Sequence, residues 1–280
     1  MPRLHLHLVS DSTGETLEMF AKAALAQFED ADVVRHFWPM VRSRQHLDRI
    51  MPTLEEKAGL VLFTLINPQT RARLEERCRE SGLTAVPVLD QVTAALEAKL
   101  GLEAQQSKPG RQHIMDKAYF DRVEAIQFTI AHDDGISHED WEEADILLAG
   151  VSRSSKTPTS IYLANRGYKV ANIPLVVESP PPEKLYQLKN PLIVGLTSTP
   201  ERLVQIRRNR LLALNEKNET AYADQDRVRE EVVFARRIFA DRGWPIIDVT
   251  RRSIEETAAA IIKLYNERDL VQATSPGGAA

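Results

Sequence analysis

The sequence predicts an α/β protein in two parts: an N-terminal doubly wound α/β unit and a C-terminal, kinase-like α/β domain containing a P-loop. Three observations carry this reading. Strand-like apolar runs alternate with helical patterns through the first third of the chain. A polar stretch with Pro and Gly, Gly101 to Arg111, then breaks the alternation. Further on, Gly150-Val151-Ser152-Arg153-Ser154-Ser155-Lys156-Thr157 follows the apolar run Ile146–Ala149 and precedes a helix-like segment, Pro158 to Arg166. Strand, tight loop and helix are the layout of a phosphate-binding loop. The corresponding division is an N-terminal domain over 1–103, a linker over 104–118, a P-loop nucleotide-binding catalytic domain over 119–270 and a flexible tail over 271–280.

Leu4, Leu6 and Leu8 alternate with His5 and His7, as in a strand. Ser10-Asp11-Ser12-Thr13-Gly14-Glu15-Thr16 follows, with Ser12 and Glu15 at capping-box spacing for a helix to about Phe28. Val33–Trp38 is a second strand, and a helix spans about Arg44 to Leu54. Gly59 to Ile66 is continuously apolar, the pattern of a strand covered on both faces. Asn67 and Pro68 suit the cap and first position of a helix that ends near Ser81-Gly82. Thr84–Leu89 and Gln91–Leu100 supply another strand and helix.

In the second part, alternating Ile126, Phe128 and Ile130 suggest a strand within Tyr119–Ile130, running into His132-Asp133-Asp134-Gly135. A short acidic helix is expected around Glu139–Ala144. After the Gly150–Thr157 loop come strands at Tyr168–Ile173 and Leu192–Leu196, separated by an extended Ser179–Pro182 loop. A helix opens at Thr199-Pro200 and runs to about Leu214. Glu216–Asp226 is polar and expected to be mobile, Arg227–Arg242 helical, and Ile246–Val249 a short strand. Ser253 and Glu256 form a capping box for a last helix, whose Ile254, Ala258, Ile261, Ile262 and Tyr265 make one apolar stripe.

The totals are those of a globular chain able to bury a core: 280 residues, 43% hydrophobic and 27% charged. A net charge of −4 argues against a general nucleic-acid or membrane-surface binder. A single cysteine, Cys78, excludes disulfide frameworks and cysteine-based zinc sites and suits a cytoplasmic setting. The N-terminal stretch lacks a signal-peptide pattern, and no apolar run is long enough for a bilayer. The seven histidines show no zinc spacing. Cys78, near Leu74 on a helix, reads as core.

The chemistry is read from the loop outward. Backbone N–H groups of residues 150–157 and the positive end of the following helix would receive phosphate oxygens. Lys156 would reach the terminal phosphate and Thr157 could ligate Mg²⁺. Ser155 stands where the general pattern has a second glycine. Asp133 and Asp134 are suited to Mg²⁺, or one of them, or His132, to accepting a proton; an acidic turn is the plain alternative. Ser12, Thr13 and Gly14 form a second candidate anion site, or an ordinary capped turn. Arg153 could contact a transferred group. Arg202, Arg207, Arg208 and Arg210 could dock an acidic or phosphorylated partner, although a solvated helix face is the favoured reading. Arg251 and Arg252 are similar. The protein-kinase signatures are absent.

Taken in order, Ser10–Thr16, His132–Gly135, Gly150–Ser160, Tyr162–Asn165, Ala171-Asn172-Ile173-Pro174 and Val194–Leu196 closely resemble the bacterial pyruvate, phosphate dikinase regulatory protein family. Its sister branch regulates phosphoenolpyruvate synthase. The resemblance spans about His5 to Tyr265. It implies a bifunctional enzyme: ADP-dependent phosphorylation of the dikinase's active-site threonine, and phosphate-dependent removal of that group with release of pyrophosphate. It implies that residues 150–157 bind nucleotide; joined to the reading of the residues above, Lys156 is expected to balance the phosphate charge and Asp134, helped by Asp133 or His132, to orient Mg²⁺ or the target threonine. The stretches Asn165-Arg166-Gly167 and Asp248 to Glu256 look like the dikinase branch. The alternatives are the same chemistry on phosphoenolpyruvate synthase, a P-loop kinase for a small metabolite, and a nucleotide sensor without chemistry. The sequence leaves the oligomeric state open, a homodimer included.

Overall fold

The structure is a computed structural model that describes residues 3–104, 117–136, 138–214 and 221–274. The chain divides into two compact units, Met1–Ile114 and Met115–Ala280. Each is an α/β arrangement of one four-stranded, all-parallel sheet with interspersed helices. Most of the expected linker, the polar stretch up to residue 220 and residues 275–280 of the expected tail lie outside the described residues.

In the first unit, β1 (Leu4–Ser10), β2 (Val33–Trp38), β3 (Leu60–Thr64) and β4 (Thr84–Pro87) lie in the order β2-β1-β3-β4. Alternate residues of each strand meet different helices, as the period of two requires. Val9, Val61 and Phe63 pack with Leu47, Met51 and Leu54 of α2 (Arg44–Glu56) and Leu74 of α3 (Pro68–Glu80). Leu6, Leu8 and Leu62 pack with Leu17 and Ala21 of α1 (Glu15–Leu25). Cys78 is buried in the first of these layers, and burial pushes its thiol up to about 11, as expected of a core cysteine. Asn67 caps α3, accepting from the Gln69 and Thr70 N–H groups, with Pro68 at the helix start. α4 (Asp90–Leu100) closes the unit.

One local expectation fails here. Ser12 does not cap α1; Gly14 holds the cap position at φ 83° and there is no side-chain cap bond. The helix therefore starts at Glu15 itself, and Glu15 lies too early in it to reach back as the third residue of a capping box.

In the second unit, β5 (Ile146–Gly150), β6 (Val170–Pro174), β7 (Leu192–Thr197) and β8 (Ile246–Asp248) repeat the same order, β6-β5-β7-β8. Leu147, Ala149, Ala171 and Ile193 face α7 (Pro200–Ala213) and α8 (Gln225–Arg242) through Leu203, Val204, Val232 and Phe239. Ile146, Leu148, Val170 and Val194 face α6 (Lys156–Ala164) and α9 (Ile254–Thr274) through Leu163, Ala258 and Ile261. Ser253 and Glu256 cap α9 reciprocally, as expected. α9 runs on to Thr274, past the point where a tail was expected, because the breakers Pro276-Gly277-Gly278 come only later.

The larger correction is α5 (Lys117–Ala131), a helix where alternation suggested a strand. Ala125 and Thr129 are buried, Phe128 packs on the core, and the next turn brings in His132. That spacing is helical, while Ile130, part of the misleading alternation, is 63% exposed.

Candidate functional site

Sheet order determines where the site lies. From β5 the chain passes to β6 on one side and later to β7 on the other, so the turns leaving β5 and β7 diverge at their carboxyl ends. Such a switch point is the usual ligand crevice of an open parallel sheet. The turn leaving β5 is Val151–Ser155, and α6 begins at Lys156. Gly150 is needed at the strand end because a Cβ there would lie 2.6 Å from both Leu196 O and Ser154 Oγ. Arg153 and Ser155 hold left-handed φ values of 70° and 64°. Each costs about 1 kcal/mol or more for a residue other than glycine, so the packing around the loop must hold it in this form.

That packing is specific. Val151 O accepts from Ser154 Oγ (2.9 Å), Ser154 N (3.3 Å) and Lys156 Nζ (3.2 Å). Ser152 O accepts from the guanidinium of Arg207 at 3.1 Å. In a trans peptide C=O and N–H point opposite ways, so anchoring Ser152 O toward Arg207 turns the Arg153 N–H away from it. Arg207 is fully buried, pairs with Glu231 at 2.5 and 3.1 Å, and donates to Tyr222 O at 2.9 Å. The Tyr222 hydroxyl meets Ser152 Oγ at 3.2 Å and accepts from Arg153 Nε at 3.1 Å. Arg207 is thus no solvated cation of a helix face, as the sequence reading favoured. It occupies the inner side of α7 beside Leu203 and Val204. An arginine on the apolar stripe of a helix was the signal that could have revealed it. Arg202 is exposed and its guanidinium donates to Gln205 one turn away; Arg251 and Arg252 are exposed.

Lys156 is 5% exposed. Burial pulls its ammonium down to about 8, against the opposing influence of Asp134 and Asp133. A second wall comes from the turn after α5. Thr157 Oγ1 donates to Asp133 Oδ1 at 2.9 Å, and Asn172 of β6 donates to the same oxygen at 2.6 Å. Asp134 sits at φ 51° and is an exposed residue. His132 is buried, stacked on Phe128 at 3.9 Å, and its Nδ1 is tied to Phe128 O at 2.7 Å. The structure therefore brings Lys156, Thr157, Asp133 and Asp134 to one end of the sheet, with His132 behind them. Thr157 is joined to Asp133, not to Asp134. Asn172, Arg207, Tyr222 and Glu231 belong to this assembly; the sequence reading assigned Asn172, Tyr222 and Glu231 no role in it and placed Arg207 on a solvated or partner-docking helix face.

The first unit carries an equivalent turn after β1. Ser12 O accepts from Met40 N, and the Asp11 carboxylate, 3% exposed, accepts from Ile66 N at 2.7 Å. Burial raises the Asp11 carboxyl above its ordinary value. A cavity of about 840 Å³ opens here, bordered by Ser12, Gly14, Asp11, Arg71 and Asp90. Among the described residues no group of three or more His, Cys, Asp or Glu side chains is placed to hold a metal, and no helix is long and apolar enough to cross a membrane.

Comparison with known proteins assigns the family. Residues 6–262 match the family described as kinase/pyrophosphorylase. Relatives provisionally named pyruvate, phosphate dikinase regulatory protein cover nearly the whole chain. The one from Erythrobacter litoralis is 75% identical, over 96% of both chains. The one from Novosphingobium aromaticivorans is 70% identical, over 99% of both chains. A more distant one, from Maricaulis maris, is 52% identical over 94% of each. The chain belongs to the kinase/pyrophosphorylase family, among the bacterial pyruvate, phosphate dikinase regulatory proteins.

Proposed function

We propose that this protein regulates pyruvate, phosphate dikinase by transferring the terminal phosphoryl group of ADP to a threonine of that enzyme, and by reversing the modification with inorganic phosphate. The carrying observation is the Gly150–Thr157 turn at the sheet's switch point, with buried Lys156 at the head of α6. Family membership and the names of the relatives support the reaction and the partner. In this reading the turn is a P-loop, residues 119–270 form the catalytic domain, and the protein works in the cytoplasm.

The terminal phosphate of ADP lies on the 150–157 backbone, its charge balanced by Lys156 and the N-terminus of α6. Asp134 accepts the proton of the threonine hydroxyl as its oxygen bonds to phosphorus and the bond to AMP breaks. In the other direction inorganic phosphate attacks phosphothreonine, pyrophosphate forms, and the threonine oxygen recovers a proton from Asp134. Thr157 and Asp133 would hold Mg²⁺, with Asp134 the alternative carboxylate for that place: all are hard oxygen donors, and the first two are already 2.9 Å apart. Bound there, Mg²⁺ supplies neutralisation of phosphate charge. His132, with Nδ1 committed to Phe128 O, supports the turn. Ser12, Thr13 and Gly14 stand at the equivalent turn of the first unit and remain a second anion-binding loop in this reading. A homodimer is compatible with it.

The test uses purified dikinase with ADP or ATP, wild-type protein or Lys156→Ala, and phosphothreonine read by mass spectrometry. ADP-dependent modification, absent in the variant and reversed by phosphate with pyrophosphate released, is the expected result. Modification of phosphoenolpyruvate synthase instead would move the protein to the sister branch. Transfer from ATP to a small acceptor would replace the reading with that of a metabolite kinase.

A further inference from the structure

The stretch Ala171-Asn172-Ile173-Pro174 contains a polar residue with no stated role. Asn172 is 0% exposed in the middle of β6, a strand whose other members are mostly apolar. A buried carboxamide is costly unless its donors and acceptor are used. Here all are used, and chiefly on one object. The Asn172 backbone N donates to His132 O at 3.2 Å. Its Oδ1 accepts from Asp134 N at 3.3 Å. Its Nδ2 donates to Asp133 Oδ1 at 2.6 Å and to Ser160 Oγ at 3.4 Å. One strand residue thus grips three consecutive residues of the turn after α5 and ties that turn to α6.

The consequence is a division between two adjacent carboxylates. Asp133 Oδ1 receives both Asn172 and Thr157, so this side chain is held against α6. Asp134 is held through its backbone instead. Its φ of 51° is a conformation that residues other than glycine adopt at a cost, and the bond to Asn172 helps to retain it. Asp134 is an exposed residue, and neither Asn172 nor Thr157 bonds its carboxylate, whose charge acts on Lys156. We propose that Asn172 is a positioning residue that separates the roles of the two aspartates, fixing Asp133 beside Thr157 at the phosphate end and leaving Asp134 free to meet the acceptor hydroxyl. This rests on the roles given to Asp133 and Asp134 above.

The experiment is a double-mutant cycle in the full-length protein with purified dikinase, measuring ADP-dependent phosphorylation and phosphate-dependent dephosphorylation. The variants are Asn172→Leu, Asp133→Asn and their combination, with Asn172→Ala as a second removal of the carboxamide. Leucine is chosen because it nearly preserves volume, so loss of packing is minimised. The expected result for Asn172→Leu is a fall in kcat of about 100-fold in both directions, with the ADP dissociation constant changed less than about threefold. The double variant should lose little beyond Asp133→Asn alone, because both remove one device. Fully additive losses would overturn the proposal, as would a fall in ADP affinity matching the fall in kcat. If both Asn172 variants fail to fold, Asn172→Asp takes their place in the cycle: it keeps the shape but replaces the Nδ2 donor facing Asp133 Oδ1 by an acceptor, and full additivity there overturns the proposal. Full activity of both Asp133→Asn and Asp134→Asn would instead refute the underlying assignment of roles, a distinguishable failure.

Discussion

At the scale of single residues, the informative groups are those whose chemistry conflicts with their surroundings. Lys156 is a cation in a nearly closed site, and its burial lowers its proton affinity to about 8. A bound diphosphate stabilises the ammonium form and raises that value in the complex. The free protein then loses its proton on a rise through pH 8 while the complex still keeps it. ADP affinity is expected to be flat below this pH and to weaken above it, by about tenfold per pH unit until the complex also titrates. Calorimetric titrations of ADP from pH 6.5 to 9.5 check this, with Lys156→Ala expected to bind weakly and without the break. Affinity that instead improved with rising pH would contradict a charged Lys156 on the phosphate. The same residue scale explains what was hard to read. The turn after β5 and the place of Lys156 at the head of α6 were legible because a strand, a turn and a helix are local in sequence. Arg207 and Asn172 were not, since their partners Glu231 and Asp133 lie 24 and 39 residues away. Each nevertheless left a trace, a polar residue at a position whose periodicity is apolar.

At the scale of elements, legibility follows how many faces an element buries. β5 is buried at all five positions and its continuous apolar run identifies it. α5 buries a narrow stripe on one side, and three apolar residues at alternate positions imitated a strand. The pair β1–β2 shows a property that no sequence pattern announces. In register, His7 lies opposite His36, and the rings of His5 and His7 both stack on His36. Both nitrogens of His7 are committed: Nδ1 accepts from Trp38 Nε1 at 3.2 Å, and Nε2 lies 2.8 Å from Lys57 O. An accepting Nδ1 requires the neutral ring with its hydrogen on Nε2. Burial, joined by charge repulsion from His5 and Lys57, lowers the His7 value below its ordinary 6.5. The unfolded chain therefore binds this proton first on acidification. Stability from this group is complete above pH 6.5 and declines as pH falls below it toward the folded value. The midpoint of thermal unfolding of the first unit, followed by Trp38 fluorescence, is expected to drop by a few degrees between pH 7.5 and 5.5. In His7→Gln that dependence should shrink, and an undiminished slope would assign it elsewhere.

For the molecule as a whole, the two units repeat one topology with different end use. Both place their first strand second in the sheet and open a turn at the same switch point. The alternation of strands and helices made this architecture legible; the equality of the two strand orders was not, because pairing is decided by crossovers that periodicity does not encode. Each unit also owns two apolar layers, one on each face of its sheet. Every residue assigned to ADP binding and phosphoryl transfer comes from the second unit, whereas Ser12, Thr13 and Gly14 of the first are given only a second anion-binding loop. A cavity made in the first unit's core should therefore be felt as lost stability and not as lost nucleotide affinity. Met51 is fully buried against Leu47, Leu54 and Val61. Met51→Ala is expected to cost about 2–5 kcal/mol of that unit's stability, since the removed atoms leave both a transfer loss and a void. Hydrogen exchange should show protection falling across β1 and β3 and persisting across β5 and β7, while the ADP dissociation constant stays within about twofold, as expected if each unit keeps its own core. A large loss of ADP affinity in this variant would mean that the phosphate loop draws its order from the first unit as well. The second sheet has layers of its own, Leu147 with Phe239 on one face and Leu148 with Ile261 on the other, to hold the turn that leaves β5.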